Sequence, residues 1–288
     1  MSKTIDPITL QVIGGALHAI AEQMGNVLYR MSYSSIIRES QDLGAGLFDL
    51  DYNTLCESDS TPMHIGSIPG YLRGIEKSIP LSDWHEGDVV IHNHPYFGAS
   101  HSPDIGIVMP IFYRGDLVGF SANTAHHLDI GAATPGLIID VPDVFAEGML
   151  LNGLKLVEAG KRNDTLWRYI SGNTRVPGLV MRDLEAQIAS AELGVKRFCE
   201  LMDTYGRATV EQASQALDEF ESVWGKDYPP IVQSWRRNWQ RIIPFFDYPH
   251  EIRKVIYTTN AIESVNMSLR KITKNRGSFP SDEALSKL

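Results

Sequence analysis

Histidine and aspartate residues concentrate in two short loops, with a spacing that suits a divalent metal ion. His101 and Asp104 stand three residues apart in HNHPYFGASHSPDIG, and His126, His127 and Asp129 follow in TAHHLDIGAATPG. Two imidazoles and a carboxylate around an open position are typical ligands of Mn²⁺, Fe²⁺ or Zn²⁺. Such an ion acts as a Lewis acid on a carbonyl group, or it activates water.

The same residue types also have an ordinary structural interpretation. A loop histidine is commonly an exposed residue or a hydrogen-bonded cap, and Asp104 after Pro103 suits an Asx turn. His64, in TPMHIGSIPG, is either a further site residue or a core histidine. His92 and His94 alternate along a predicted strand, so they share a face as supporting donors or as exposed side chains. Spacing alone leaves these alternatives open.

Short apolar and β-branched runs surround the two loops and predict a strand-rich region over residues 44–140. We expect hairpins that turn at residues 51–53 and 114–116, with further strand signals in GDVVIHNHPYFG and PGLIIDVP. Each of the two loops ends a predicted strand, so both are expected to converge at one edge of a sheet, where sites are commonly built.

Helical periodicity flanks this region on both sides. Asp6-Pro7 predicts a helix start, and apolar residues then recur at steps of three and four as far as Met31. Residues 179–220 return to the same periodicity. The predicted fold class is α+β, with an N-terminal helix, a mixed strand-rich centre, a helical C-terminal segment and a separate helical tail.

Composition excludes several classes of protein. The 288 residues carry a net charge of −9, and no apolar run reaches the length of a membrane span. The first residues do not resemble a signal peptide. Cys56 and Cys199 are far apart, so a disulfide scaffold or a cysteine-rich zinc site is not expected. These features favour a cytoplasmic protein with no membrane partner.

Charge is distributed unevenly and predicts two domains, at 1–215 and 216–288. Residues 220–288 carry a net charge of +4, whereas residues 1–219 carry −13. Trp235 and Trp239 stand one helical turn apart among arginines, a pattern that suits phosphate contacts and base stacking. The alternative is a solvated basic face over a tryptophan-filled core.

Five ordered blocks over about residues 5–210 resemble the hydantoinase B family, which includes the 5-oxoprolinase B half and acetone-carboxylase-type large subunits. They are RESQDLGAGLFDLDYNTLCESDSTPMHIGSIP, NHPYFGASHSPDIGIVMPIF, AHHLDIGAATPG, FAEGMLLNGLKLVEAG and RDLEAQIASAELG. The resemblance implies a metal-dependent subunit for a small cyclic amide or ketone substrate. It also implies a hydantoinase A-type partner that uses ATP, since the chain contains no G-x-x-x-x-G-K-[ST] loop.

The resemblance also implies residue roles. The metal ligands would be His101, Asp104 and His126, with His127, Asp129 and His64 as further catalytic candidates. Family members are much longer, so we expect this chain to hold only the first part of such a subunit. Where the family usually has Asn-Asp-Pro-Tyr, this chain has His94 in the second position, which leaves the identity of the substrate open.

Residues 219–288 are similar to the C-terminal part of mutator-type insertion-sequence transposases. That resemblance implies that Glu263 corresponds to one carboxylate of a two-metal site. The two matching aspartates would lie upstream, where the chain is hydantoinase-like, so Glu263 is expected to act only as a helix-capping residue. We interpret the chain as a fusion. The alternatives are a transposase remnant that binds DNA weakly and a non-functional product with exposed apolar surface.

Overall fold

The computed structural model describes residues 6–61, 64, 66–136 and 141–214, which combine helices with an antiparallel sheet. The helices are α1 (Pro7–Met31), α2 (Ser35–Arg38), α3 (Ile68–Glu76), α4 (Asp164–Gly172) and α5 (Pro177–Tyr205). The strands are β1 (Leu43–Phe48), β2 (Thr54–Glu57), β3 (Val89–His92), β4 (Asp104–Tyr113), β5 (Asp116–His126), β6 (Leu154–Glu158) and β7 (Lys161–Arg162). The predicted α+β class is confirmed.

The strands form one sheet in the order β2-β1-β5-β4-β3-β6-β7, and all neighbouring pairs are antiparallel. Its long central strands are β4 and β5, which adjoin β3 and β1. The start of β4 and the end of β5 therefore lie side by side in the middle of the sheet. Residues of β3 and β1 flank them on the two sides.

The N-terminal helix begins where its sequence predicts. The Asp6 carboxylate accepts hydrogen bonds from the backbone N–H groups of Ile8 and Thr9, at 3.1 and 3.0 Å. Pro7 occupies the first turn, where its missing N–H costs nothing. The apolar stripe, with Leu17 and Met24 in its middle, is buried against α5 and β1. Burial of that stripe holds α1 on the sheet.

Strands β4 and β5 form a hairpin with a two-residue turn. Arg114 and Gly115 both have positive φ angles, of 54° and 91°, the conformation that suits the right-handed twist of a tight hairpin. The turn is shorter than the expected 114–116, because Asp116 already pairs with Tyr113.

A β-bulge changes the register of this hairpin. Phe112 pairs with Leu117, but Ile111 pairs with Gly119, so β5 carries one additional residue at Val118. From there to the ends of the strands the pairing is regular, and Asp104 lies opposite His126. Directly opposed residues of an antiparallel pair point to the same face of the sheet.

The two faces of the sheet have different coverings. Alternate residues of β4, such as Ile105 and Ile107, belong to an apolar cluster with residues of α4 and α5. Val108, from the other set, packs with residues of α3. One face thus lies against α1, α4 and α5, and the other lies against α3.

Several sequence expectations fall outside the described residues. Residues 137–140 include most of the strand expected in PGLIIDVP, and residues 215–288 include the domain boundary, the basic tail and Glu263. Within the described ranges, none of the helices combines the length and the apolar character that a membrane span requires.

The expectation for His92 and His94 was wrong. Strand β3 ends at His92, and His94 precedes a short 3₁₀ turn, so the two histidines do not alternate along a strand. His92 is fully buried. Its Nδ1 accepts from the Gly153 N–H at 3.2 Å, so its Nε2 carries the proton donated to the Phe97 carbonyl at 3.0 Å. The neutral ring ties β3 to the segment that precedes β6.

Burial of His92 predicts a loss of stability in mild acid. Burial lowers the pKa of His92 from 6.5 to about 4, so the unfolded chain takes up a proton before the folded chain does. The free energy of unfolding should fall as pH decreases from 6.5 to 4, by about 3 kcal/mol from this group. Denaturant unfolding across this pH range should show a smaller decrease in His92→Gln than in the unmodified chain. His85→Gln, at an exposed position, is the control, and an unchanged acid profile in His92→Gln would contradict the prediction.

Candidate metal centre

Three side chains bring ligand atoms together at one end of the β4–β5 hairpin. Nε2 of His101 lies 2.7 Å from Oδ1 of Asp104, and Nδ1 of His126 lies 3.1 Å from the same oxygen. The two imidazole nitrogens are 3.2 Å apart. All three atoms thus surround one point, where a metal ion has access to two nitrogens and a carboxylate oxygen.

Strand pairing accounts for this convergence. Asp104 is the first residue of β4, and His126 is the last residue of β5. His101 lies in the turn just before β4, where its carbonyl accepts from the Asp104 N–H at 3.1 Å. The first loop therefore follows β3 but places its ligands at the start of the next strand. The carboxylate of Asp104 is buried, whereas the His101 side chain is 24% exposed and forms the solvent side of the cluster.

The charge state of the cluster is set by its hydrogen bonds. Burial alone would raise the pKa of the Asp104 carboxyl, but hydrogen bonds from His101 and His126 hold it well below its usual range. Burial likewise opposes protonation of His101, yet the hydrogen bond and charge of Asp104 raise the pKa of this histidine. Asp104 is consequently an anionic acceptor shared by two imidazoles.

Asp42 adds a second carboxylate beside the cluster. It directly precedes β1, and its backbone carbonyl accepts from the His126 N–H at 3.1 Å. Its Oδ2 lies 4.0 Å from Nδ1 of His126. Asp42 is not among the residues named from the sequence, because its proximity to His126 depends on the pairing of β1 with β5. The available signal was an acidic residue immediately before a predicted strand.

His64 supports this side of the cluster. Its Nε2 lies 2.9 Å from Oδ1 of Asp42, a carboxylate oxygen that can only accept, so Nε2 carries the proton. The remaining nitrogen, Nδ1, is fully buried, has no hydrogen-bond partner and lies 3.9 Å from Oδ2 of Asp104. Gly44 makes room for this ring, because a Cβ there would lie 2.8 Å from the His64 Cβ.

Tyr71 contacts Asp104 from the face of the sheet that α3 covers. Its hydroxyl donates to the Asp104 carbonyl at 3.0 Å and lies 3.2 Å from the Thr124 hydroxyl. Burial, with a smaller contribution from the Asp104 charge, raises the pKa of Tyr71 to about 12, so the phenol remains a donor. Gly106 allows this contact, since a Cβ there would meet the tyrosine ring at 2.5 Å.

The remaining sequence candidates have other partners. His127 is buried, and its Nε2 lies 2.8 Å from Oε1 of Gln187. Desolvation lowers the pKa of His127 and keeps it neutral. The Asp129 carboxylate is paired with the Arg175 guanidinium at 2.9 Å and also accepts from the Arg175 and Gly131 N–H groups. These contacts connect the loop after β5 to Arg175, which lies two residues before α5.

The chemistry of the donor set fits a divalent ion. Ligands bound at ~2.1 Å and at right angles lie about 3 Å apart, close to the separations found among His101, Asp104 and His126. Mixed nitrogen and carboxylate donors suit Mn²⁺, Fe²⁺ or Zn²⁺. The unpartnered Nδ1 of His64 is a buried lone pair that a cation, or water bound to it, would satisfy. The residues available to hold an ion are therefore His101, Asp104 and His126, with Asp42 and His64 beside them.

Comparison with known proteins identifies relatives for most of the chain. The sequence profile described as Hydantoinase B/oxoprolinase matches residues 6–222. The B-type subunit of a putative D-/L-hydantoinase from Pseudomonas sp. (strain NS671) is 47% identical over 230 residues, which cover 78% of this chain and 39% of that protein. This chain thus spans about two fifths of the length of that relative.

Solved structures extend the comparison to the fold. The ATP-dependent caprolactamase from Pseudomonas jessenii superposes with a TM-score of 0.70 at 30% identity, over 78% of this chain and 40% of the other. An acetone carboxylase, from a study of ATP-dependent acetone carboxylation, superposes with a TM-score of 0.67 at 21% identity, over 74% and 28% of the two chains. The latter likeness concerns the fold alone.

A second family profile, described as Transposase, Mutator family, matches residues 186–288. The transposase of an insertion sequence element from Rhizobium meliloti is 51% identical over 85 residues, which cover 29% of this chain and 21% of the transposase. The resemblance of the tail to such transposases is thereby confirmed. The two matched ranges overlap over residues 186–222.

The contacts of Asp129 predict a structural rather than a metal-binding effect of its substitution. Asp129→Asn removes the charge that pairs with the half-exposed Arg175, so the free energy of unfolding should fall by about 1–3 kcal/mol. Metal content should remain that of the unmodified chain. Asp164→Asn, at an exposed ion pair, is the matched control. Loss of metal without loss of stability would instead assign Asp129 to the centre.

Proposed function

The chain belongs to the hydantoinase B/oxoprolinase family, and from this premise we propose that it carries the metal-binding part of a B-type subunit. The proposed activity is the ATP-coupled hydrolysis of a small cyclic amide. The observation that carries the proposal is the convergence of His101, Asp104 and His126 at the end of one hairpin. Relatives named for amide hydrolysis, a hydantoinase component and an ATP-dependent caprolactamase, support the choice of reaction.

The proposed ligands are His101, Asp104 and His126, with Asp42 as a fourth. A bound Mn²⁺, Fe²⁺ or Zn²⁺ ion supplies a Lewis acid that polarises an amide carbonyl or lowers the pKa of water. Asp104 remains ionised because two imidazoles donate to it. His64 holds the Asp42 carboxylate in place through a 2.9 Å hydrogen bond. These contacts keep the donors oriented in a buried environment, which strengthens their interaction with a charged centre.

Substrate would enter past His101, the partly exposed member of the cluster. Glu147 borders this side, where its carboxylate accepts from the Ser102 N–H at 3.3 Å. Tyr96, five residues before His101, and Phe145, two residues before Glu147, are 73% and 70% exposed. A small ring with one polar carbonyl suits an approach of this kind, with apolar groups near a polar centre. His127 and Asp129 would act only by supporting the loop that follows His126.

ATP would be used by a separate hydantoinase A-type subunit. The chain has no glycine-rich nucleotide loop of the Walker type, whereas the caprolactamase relative is described as ATP-dependent. The partner would phosphorylate the substrate, and this chain would position and polarise the activated group.

Carboxylation of a ketone is the alternative reaction. Adding the partner and ATP, with either a cyclic amide or a ketone and bicarbonate, would distinguish the two. We further propose a cytoplasmic location, because Cys56 and Cys199 form no disulfide with each other.

Metal content tests the proposed centre. The purified chain, supplied with Mn²⁺, Fe²⁺ or Zn²⁺ and then dialysed, should retain about one ion per chain by elemental analysis. His101→Ala should lower the retained metal at least tenfold, because it removes a ligand. Asp42→Asn should weaken retention less, since an amide oxygen remains a neutral donor.

His85→Ala is the matched control, because it removes a histidine whose side chain is 61% exposed and lies outside the cluster. Circular dichroism should show that all four proteins are folded. A folded chain that retains no ion under any of these conditions would overturn the proposed function and favour the non-functional product.

The transposase-like segment supports a second proposal, weak binding of duplex DNA. Residues 186–288 match the Mutator-family profile, and the last part of this range is basic.

Binding of the chain to duplex DNA, measured by fluorescence anisotropy, should weaken as salt increases, because phosphate contacts release counterions. Replacing Arg236, Arg237 and Arg241 by alanine should reduce both the affinity and its salt dependence. The matched control replaces Arg73, Arg162 and Arg168, which lie before residue 186 and outside the transposase-like range. No binding at low salt would contradict this proposal, and Glu263 would then have only a capping role to test.

A further inference from the structure

Helix α5 buries polar side chains as well as apolar ones. Asp183, Gln187 and Ser190 are spaced by four and three residues, and each is essentially inaccessible to solvent. Burial of an amide is costly unless its donors and acceptor are paired. Gln187 satisfies this requirement through contacts with both strands of the β4–β5 hairpin.

The hydrogen bonds of Gln187 use its complete side-chain amide. Its Nε2 donates to the Ile105 carbonyl at 2.8 Å and to Oδ1 of Asn123 at 3.0 Å. Its Oε1 accepts from Nε2 of His127 at 2.8 Å. The orientation of the amide follows from these partners, because the Ile105 carbonyl can only accept. His127 therefore carries its proton on Nε2.

The partners of Gln187 are next to the proposed ligands in the chain. Ile105 follows Asp104, and His127 follows His126. One side chain thus bonds to both strand ends that present the donors. Ile105 belongs to the apolar cluster of α5, so Gln187 acts from the face of the sheet opposite α3. Tyr71 of α3 contacts the Asp104 carbonyl from the other face.

We propose that Gln187 is a positioning residue, which fixes the separation of Asp104 and His126 and thereby gives the centre its affinity for a divalent ion. This inference rests on the metal site of the proposed function. Gln187 acts through the backbone of Ile105 and through His127, and it contacts neither ligand directly. A change of a few tenths of an ångström between two ligands weakens a metal site, because the ion requires a narrow range of distances.

Gln187→Met tests the role, because methionine has a similar volume and no hydrogen-bonding amide. The unmodified chain and the variant would be stripped of metal and titrated with Co²⁺, with visible absorption as the readout. We expect affinity to fall by about 10–100-fold, the usual effect of losing a residue that supports metal ligands. We also expect a changed Co²⁺ absorption band, which reports ligand geometry and which a general loss of stability would not alter.

Ser121→Ala is the matched control. Its hydroxyl donates to the Ala191 carbonyl at 2.8 Å, so the substitution removes a buried hydrogen bond between the same two elements, β5 and α5, away from the ligands. Both variants should lose a comparable amount of thermal stability, while Ser121→Ala should keep the affinity and the absorption band of the unmodified chain.

Two results would overturn the inference. If Gln187→Met binds Co²⁺ with the affinity and spectrum of the unmodified chain, Gln187 is a structural residue only. If the unmodified chain binds no ion, the proposed function fails and this inference fails with it. Should Gln187→Met not fold, Gln187→Leu replaces it. Leucine removes both the acceptor for His127 and the amide donor to Ile105, so the same loss of affinity is expected.

Discussion

The arrangement of the candidate centre depends on the register of the β4–β5 hairpin. The turn at Arg114 and Gly115 pairs Tyr113 with Asp116. The bulge at Val118 then shifts all further pairs along β5 by one residue. Without that additional residue, Asp104 would lie opposite Ala125, and His126 would point to the face covered by α5. A slip of one residue exchanges the two faces of a strand. Packing of Val118 in the apolar core shared by α1 and α5 holds the bulge in place.

The rest of the structure holds this register from two sides. On the α3 face, Gly44 and Gly106 leave room for the rings of His64 and Tyr71, which contact Asp42 and Asp104. On the opposite face, polar residues of α5 bond to the two central strands. The centre therefore combines two partly exposed side chains, His101 and Asp42, with the enclosed side chains of Asp104 and His126, to which little movement is available.

Local sequence patterns predicted most of the regular structure. The cap at Asp6, the apolar stripe of α1 and the two hairpins depend on neighbouring residues, and these predictions are confirmed. The stripe on α5 is also confirmed, but its spacing gave no sign of the polar residues buried on that helix. Burial of Gln187 depends on strands that lie 64 and 82 residues away along the chain.

The site was accessible to sequence analysis only in part. His101 and Asp104 are close in sequence, and His126 lies in a second glycine-bounded loop with the same residue types. These three could therefore be predicted as metal ligands. Asp42 could not, because only the pairing of β1 with β5 brings it near His126. The family resemblance made Asp129 a further candidate, but its ion pair with Arg175, 46 residues further on, follows from no local pattern.

The order of the donors along the chain has a consequence for gene evolution. All the proposed ligands fall within residues 42–126, and each lies in or beside the central strands. Recombination that replaces the coding sequence after α5 would leave every proposed ligand residue encoded. Gln187 also precedes the end of α5, so it would be retained. A gene rearranged in this way could keep the coding information for the centre while acquiring an unrelated segment, so retention of the ligands and retention of the original activity would be inherited separately.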